Sequence, residues 1–431
     1  MINKSKKIFI EENDRLFDFK QNYSNTSIIH NRLALLFFLL VFVMSLYSLK
    51  LIFFAGMKVS QAQNTILKNE NYRADIIDRN GILIAKTVPV INVRINPSLL
   101  KDKKKLIINL KLIFPNKDYV LVEKKINRGN SFYFEKKISN ENFEKVRKIG
   151  DKSISFEKKI TRIYPQKELF SHIIGQIDSD NIGISGIEKF YDEELKTLKK
   201  PLKLSVDTNL QYLIRNELIK AKTDFNTIGS GAILMNVQNG EVLSLVSLPD
   251  YDLNKRNSIK EDIYTNKITL GVYELGSVFK TFTIAAGLEN NVIEPNTVFK
   301  NLKRSLNCDK YTITEHDELP KNLSVEQILI RSSNIGAVRI AQKVGVKKYK
   351  NFLNSLELLD TINFDIEEIG TPIQFRWGKC KLATTSYGHG ITTTPLQLAK
   401  AYAILANGGY KVEPSILKKE IKNINSRDKI I

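Results

Sequence analysis

From Leu33 to Leu49 every position is apolar except Ser45 and Ser48, and after Lys50 the run resumes over Leu51 to Ala55. A helix rises ~1.5 Å per residue and a bilayer core is ~30 Å thick, so the pattern predicts one transmembrane helix over 33–55. Lys50 lies near one end, where its stem snorkels to the interface. The stretch before it, 1–32, is far longer than the leading region of a signal peptide, and Phe54-Ala55-Gly56 is a poor cleavage site, so the helix is expected to stay as an anchor. That leading stretch carries six Lys/Arg, but only Arg32 adjoins the helix, and charge counting leaves the orientation open.

Beyond the anchor the apolar spacing shortens and mixes. Ile76-Ile77 and Ile82 to Ala85 flank Asn80-Gly81, which predicts a hairpin. Lysine-rich mixed α/β sequence follows to a glycine-punctuated loop, Gly183-Ile-Ser-Gly-Ile-Glu188, and a helix over Lys189 to Leu195. Lys199-Lys200-Pro201 reads as a linker, dividing a region 57–200 from a compact α/β region 202–431. In the second region Asp207 caps a helix with a Leu210, Leu213, Ile214, Leu218 stripe. Gly231 to Val237 and Glu241 to Val246 form a hairpin at Asn239-Gly240. An apolar helix runs from Ser277 towards Leu288. Ser324-x-x-Gln327 is a capping box for a helix that reaches Arg331, and Thr394-Pro395 opens another that Asn407-Gly408 closes.

Composition changes this picture little. Lys and Arg number 66 against 46 Asp and Glu, a formal charge of +20. The lysines are spread over the whole chain with no nucleic-acid-binding motif, so nucleic acid is not an expected partner. Cys308 and Cys380 form no C-x-x-C, which argues against structural zinc; whether they pair is open.

The sharpest chemical signal is Tyr273-Glu-Leu-Gly-Ser277-Val-Phe-Lys280. Residues i and i+3 share a helix face, so the Lys280 amine reaches the Ser277 hydroxyl and, if neutral, takes its proton during attack. Burial or nearby positive charge would lower the amine's pKa as that role requires. Gly276 leaves room for substrate, and the helix N-terminus offers N–H groups to an oxyanion. Ser-x-x-Lys recurs at Ser98, Ser155, Ser415 and Ser426, so spacing alone does not select Ser277; the preceding glycine, the apolar helix and the upstream hairpin do. Ser332-Ser333-Asn334, a polar break between two apolar helices, suits a cleft wall: Ser332 to relay a proton, Asn334 to hold a substrate amide. A plain capping pair explains it equally well. His389 is a candidate for the cleft mouth or a turn histidine. His316-Asp317 lacks any third group to position it. Glu188 and Asp207 suit loop fixing and capping rather than chemistry.

Taken in order, Tyr273–Lys280, Ser332–Asn334 and Thr385-Ser-Tyr-Gly-His-Gly-Ile-Thr-Thr-Thr-Pro-Leu-Gln397 resemble a penicillin-binding-protein transpeptidase domain. Arg73–Gly81, Arg162-Ile-Tyr-Pro165, Gly186-Ile-Glu188 and Leu204-Ser-Val-Asp207 with Gln211 extend the resemblance to a class B penicillin-binding protein of the division-specific type. It implies an α/β (α+β) fold. A serine β-lactamase-like transpeptidase domain over 202–431 would follow a mixed α/β pedestal over 57–200, one transmembrane helix and a cytoplasmic tail over 1–32. The implied activity is D,D-transpeptidation, with Ser277 as nucleophile, Lys280, Ser332 and Asn334 as catalytic partners, and Gly276, Gly388, His389 and Gly390 on the substrate path. Implied partners are peptidoglycan stem peptides on lipid II-derived glycan strands, β-lactam inhibitors and division membrane proteins including a glycosyltransferase. No cofactor or metal is implied. The implied place is the inner membrane, single-pass, with a periplasmic catalytic domain. The family's Lys-Thr-Gly motif is absent from these 431 residues. The domain is therefore expected to be incomplete, a fragment of a longer product and weakly active as it stands. A non-catalytic, membrane-anchored division scaffold is the alternative.

Overall fold

The computed structural model describes residues 32–52, 72–255, 263–309, 311–373, 376–378, 380–419 and 428–431. Residues 1–31 of the expected tail, residues 53–55 of the expected anchor and Ser426 lie outside them. The N-terminal unit contains one exposed helix, Arg32–Ile52, 21 residues with a mean hydropathy of 2.4, long and apolar enough to cross a membrane.

Residues 72 to 431 belong to a second unit. Strand β1 (Ile76–Ile77) turns at Asn80-Gly81 into the 13-residue β2 (Leu83–Ile95). Gly81 sits at φ +90°, a conformation that costs glycine little. Helices α1 (Lys103–Ile113) and α2 (Tyr119–Asn127), strand β3 (Phe132–Ile138), α3 (Asn140–Ile149) and β4 (Ile154–Ile163) follow. Asp102, Asp118 and Ser139 accept N–H bonds as side-chain caps of the three helices. Their apolar faces bury Leu106, Leu110, Val122 and Val146 against Val93, Ile95 and Phe134. Short helices α4 (Ser171–Ile174), α5 (Gly186–Phe190) and α6 (Asp192–Thr197) lead to β5 (Leu202–Lys203), which pairs parallel with β1. The sheet order is β3-β2-β1-β5, with β4 on the other edge of β2. The single helix expected over Lys189–Leu195 is thus two, because the chain breaks at Tyr191. Leu202–Lys203, expected to open the second region, closes the sheet of the first.

Three of the sequence elements quoted above meet in this region around Glu188. Arg73 donates to its Oε2 through Nε (2.9 Å), and Arg162 Nε donates to Oε1 (2.7 Å). Tyr164 donates to Oε1 at 3.3 Å, and Arg73 Nη1 reaches Asp192 at 2.5 Å. Arg73 and Glu188 are fully buried, Arg162 nearly so.

Helix α7 (Thr208–Phe225), capped by Asp207, packs on the antiparallel pair β6 (Ser230–Met235) and β7 (Val242–Leu248). Two expectations are corrected here. The hairpin connection is a loop over 236–241, held by Asn236 and Asn239 side chains, rather than a tight Asn-Gly turn. And the predicted stripe of α7 holds in part: Leu210, Ile214 and Leu218 are half-buried, Leu213 is exposed, and the fully buried positions are the polar Thr208 and Gln211, Gln211 bonding Ser244 and the backbone at Leu245 and Leu169. Among the described residues β6 and β7 pair only with each other, so the helix meets a narrow sheet.

A 3₁₀ turn, Gly276–Phe279, enters α8 (Lys280–Glu289). Strands β8 (Val298–Phe299), β9 (Ser305–Cys308), β10 (Tyr311–Thr314) and β11 (Leu323–Ser324) precede α9 (Val325–Ile330), α10 (Asn334–Val344) and α11 (Val346–Ser355). Helices α12 (Lys381–Thr385) and α13 (Pro395–Ala406) complete the order; the predicted capping box at Ser324 is formed, and Thr394 with Gln397 adds a second. Helix α8 is the centre of this half. Phe279, Phe282 and Ala286 pack against Tyr349, Leu353 and Ile404, while Ile284 faces Ile328, Ile335 and Val338. Each such large side chain contributes about 1.5–3 kcal/mol by burial, so the element that carries Ser277 is held from both sides.

Candidate active site

Ser277 and Lys280 lie at the join between the 3₁₀ turn and α8. An α-helix from Ser277 was expected; the tighter turn has a consequence, because side chains three apart eclipse in a 3₁₀ turn rather than merely sharing a face. Lys280 Nζ stands 3.1 Å from Ser277 Oγ. Ser277 is exposed, whereas Lys280 is 1% exposed, so the hydroxyl opens to solvent over a buried amine. Burial pushes the Lys280 amine down to about 8, against an opposing pull from Glu315.

The Ser-Ser-Asn corner meets the same amine. Ser332 Oγ lies 2.8 Å and Ser332 O 2.5 Å from Lys280 Nζ. Ser332 adopts φ +53°, a left-handed conformation uncommon for a residue with a Cβ. Ser333 caps α10, accepting the Gly336 N–H at 2.9 Å, so the capping reading holds for one serine, while the other lies against the Lys280 amine. Asn334 begins α10, and its Nδ2 donates to Thr314 O at 2.9 Å, which fixes the amide to β10. The sequence pattern alone showed no tie between that amide and the β9–β10 hairpin.

The third wall is the turn at 385–390. Gly388 sits at φ +84°, and a Cβ there would come 2.0 Å from Gly276 O. Backbone therefore packs on backbone, and only glycine permits it. Gly276 is also left-handed, at φ +63°, and the space beside it is open. Gly390 donates its N–H to Glu274 Oε1 at 3.0 Å, and the exposed His389 has Nδ1 3.8 Å from Glu274 Oε2. Lys381, buried beneath this turn, donates to Gly390 O. Burial lowers its amine and Glu274 opposes the shift.

Cys308 and Cys380 form a disulfide across 72 residues, with Cα atoms 5.7 Å apart. It joins β9 to the residue before α12 and so ties two walls of the site together. Cys308→Ser is expected to lower stability by ~2–4 kcal/mol, read as a fall in denaturant midpoint that a reductant reproduces in the unmutated protein.

The other described Ser-x-x-Lys sequences are elsewhere. Ser98 and Ser155 lie in the first region, and Ser415 Oγ donates to Asp365 at 2.7 Å. Along a strand, as at Ser155, residues three apart point to opposite faces. His316 is exposed. Sequence reading missed Glu274, Glu315 and Lys381, whose roles depend on partners far along the chain.

Comparison with known proteins supplies the context. Residues 68–223 match the penicillin-binding protein dimerisation domain, and residues 230–430 match the penicillin binding protein transpeptidase domain. The chain is 29% identical over 355 residues to the probable peptidoglycan D,D-transpeptidase FtsI of Caulobacter vibrioides, covering 81% of this chain and 60% of that protein. It is 29% identical over 408 residues to stage V sporulation protein D of Bacillus subtilis, covering 83% and 61% respectively. To the peptidoglycan D,D-transpeptidase FtsI of Buchnera aphidicola subsp. Baizongia pistaciae it is 28% identical over 464 residues, covering 95% and 79%. The chain thus spans about three fifths of the length of the first two relatives.

Proposed function

The chain belongs to the penicillin-binding proteins, with a dimerisation domain followed by a transpeptidase domain, and from that premise we propose that it is a serine D,D-transpeptidase that cross-links peptidoglycan stem peptides during septal wall synthesis. The observation that carries the reading is the placement of one buried amine between two hydroxyls, 3.1 Å from Ser277 Oγ and 2.8 Å from Ser332 Oγ. A scaffold would have no use for a buried lysine under an exposed serine, with no ion-pair partner among the described residues, so the enzyme is favoured over the scaffold.

In this mechanism Ser277 Oγ attacks the penultimate D-Ala carbonyl while Lys280 takes its proton. The new C–O bond forms as the carbonyl becomes an oxyanion, which the first-turn N–H groups at Ser277 stabilise. Collapse breaks the C–N bond to the terminal D-Ala, whose amine takes the proton from Lys280 through Ser332. An amine of a neighbouring stem then attacks the acyl-enzyme, the C–O bond to Ser277 breaks, and Ser277 recovers a proton from the incoming amine by the reverse relay. Asn334 holds the substrate amide, and Gly388, His389 and Gly390 border its path. The substrate strands derive from lipid II; β-lactams acylate Ser277 in place of the stem. The N-terminal helix anchors the protein in the inner membrane with the catalytic domain in the periplasm, beside a glycosyltransferase and other division proteins.

The full-length protein in membranes is expected to form a stable adduct with fluorescent penicillin. Peptide mapping by mass spectrometry places it on Ser277; an adduct on any other residue overturns the assignment. An adduct that disappears by hydrolysis within one labelling period would indicate a penicillin-hydrolysing relative instead.

A further inference from the structure

One acidic side chain beside the site takes no part in this chemistry. Glu315 directly follows β10 and is half-buried. Its Oε1 accepts Ser333 Oγ–H at 2.6 Å and the Ile335 N–H at 2.9 Å, and its Oε2 accepts the Asn334 N–H at 2.8 Å. A capping hydroxyl satisfies one donor of a helix start; this carboxylate, reaching in from another element, satisfies two backbone N–H groups and the capping hydroxyl itself, where the helix end favours an anion. The clamp closes immediately after Ser332, whose left-handed backbone turns both its carbonyl and its hydroxyl onto Lys280 Nζ. Released from it, Ser332 would relax to a commoner conformation and carry both oxygens away from the amine.

We infer that Glu315 is a positioning residue for acylation, holding Ser332 against Lys280 through Ser333 and the first turn of α10. The inference rests on the transpeptidase reading above. It has an electrostatic signature as well. Glu315 pulls the Lys280 amine upward against the effect of burial, and Ser277 from the same helix and Ser332 from the facing loop are uncharged. Removing the carboxylate charge therefore lets the amine titrate at lower pH.

The test compares full-length, membrane-bound wild type with Glu315→Gln and Glu315→Asp by time-resolved fluorescent-penicillin labelling across pH. Glu315→Gln is expected to acylate about 10-fold more slowly at unchanged final stoichiometry, with the acid limb of its pH profile moved to lower pH. Glu315→Asp, which keeps the charge, is expected to recover most of the rate and the wild-type limb. Wild-type rate and limb in Glu315→Gln overturn the inference. So does a fall in labelled fraction with rate and limb intact, the result of a merely structural role. Competitive acetylation of Lys280, followed by mass spectrometry against pH, reads the amine without penicillin. An unmoved acetylation profile in Glu315→Gln also overturns the inference. If wild type takes no penicillin on Ser277 while the acetylation profile does move, the transpeptidase reading falls and Glu315's hold on Lys280 stands.

Discussion

Replacing Lys280 by arginine is expected to slow penicillin acylation of Ser277 by about 10²–10⁴-fold, the contribution of a positioned general base. Arginine retains positive charge and much of the length but does not deprotonate in a protein, so it cannot accept the serine proton. The wild-type profile has a defined sign. The Lys280 amine is held at about 8 by burial, so below that pH it is mostly protonated and idle as a base. Acylation should rise with pH through about 8 and then level, and Lys280→Arg should lack that limb. Ser277→Ala, with no oxygen to acylate, should form no adduct at all. The measurement is the second-order labelling rate against pH, with thermal unfolding as a check that the variants fold. A Lys280→Arg rate within a few-fold of wild type would show that the base is another group. Lys381, the other amine lowered by burial near the site, would then be the next to test.

The largest effect on stability is expected at Glu188, far from the serine. Its carboxylate receives Arg73 and Arg162, and all three side chains are at most 1% exposed. Glu188→Ala leaves two guanidinium groups buried without their shared counter-ion. Breaking a buried pair in this way costs about 3–5 kcal/mol, because the remaining charge pays its desolvation without return. Arg162 already has one buried nitrogen, Nη2, without a protein hydrogen-bond partner, so it has little capacity to compensate. Chemical or thermal denaturation of the variant should show the loss, while the acylation rate per folded molecule should stay near wild type. A midpoint shift under ~1 kcal/mol would mean that water or Asp192 takes over the carboxylate's role. A lost rate with stability intact would mean that this region acts on the site directly.

These two outcomes separate what was legible in the chain from what was not. Caps, turns and the membrane-length helix depend on neighbours within a few residues. The Asp207 cap, the Ser324 capping box, the Thr394-Pro395 helix start and the Asn80-Gly81 turn therefore stand where local chemistry put them. The Ser277–Lys280 pair was legible for the same reason, since a spacing of three needs only one turn of helix. Local signals failed where burial decided. On α7 the apolar stripe is only half-buried and Leu213 is exposed, while the polar Gln211 is buried through bonds to distant backbone, and the 236–241 loop replaced a tight turn because its asparagines found backbone partners.

The sequence by itself determined the order of motifs, a helix long and apolar enough to cross a membrane, and the one-turn spacing that brings Ser277 and Lys280 together. Only the tertiary structure decided that Ser332 shares an amine with Ser277 across 52 residues, that Glu315 clamps the corner behind it, and that Cys308 meets Cys380. The physical reason is common to all three. Each contact joins residues that have no fixed distance along the chain until the buried faces of α8 and α10 pack together. That packing is a property of the whole core, not of any window of sequence.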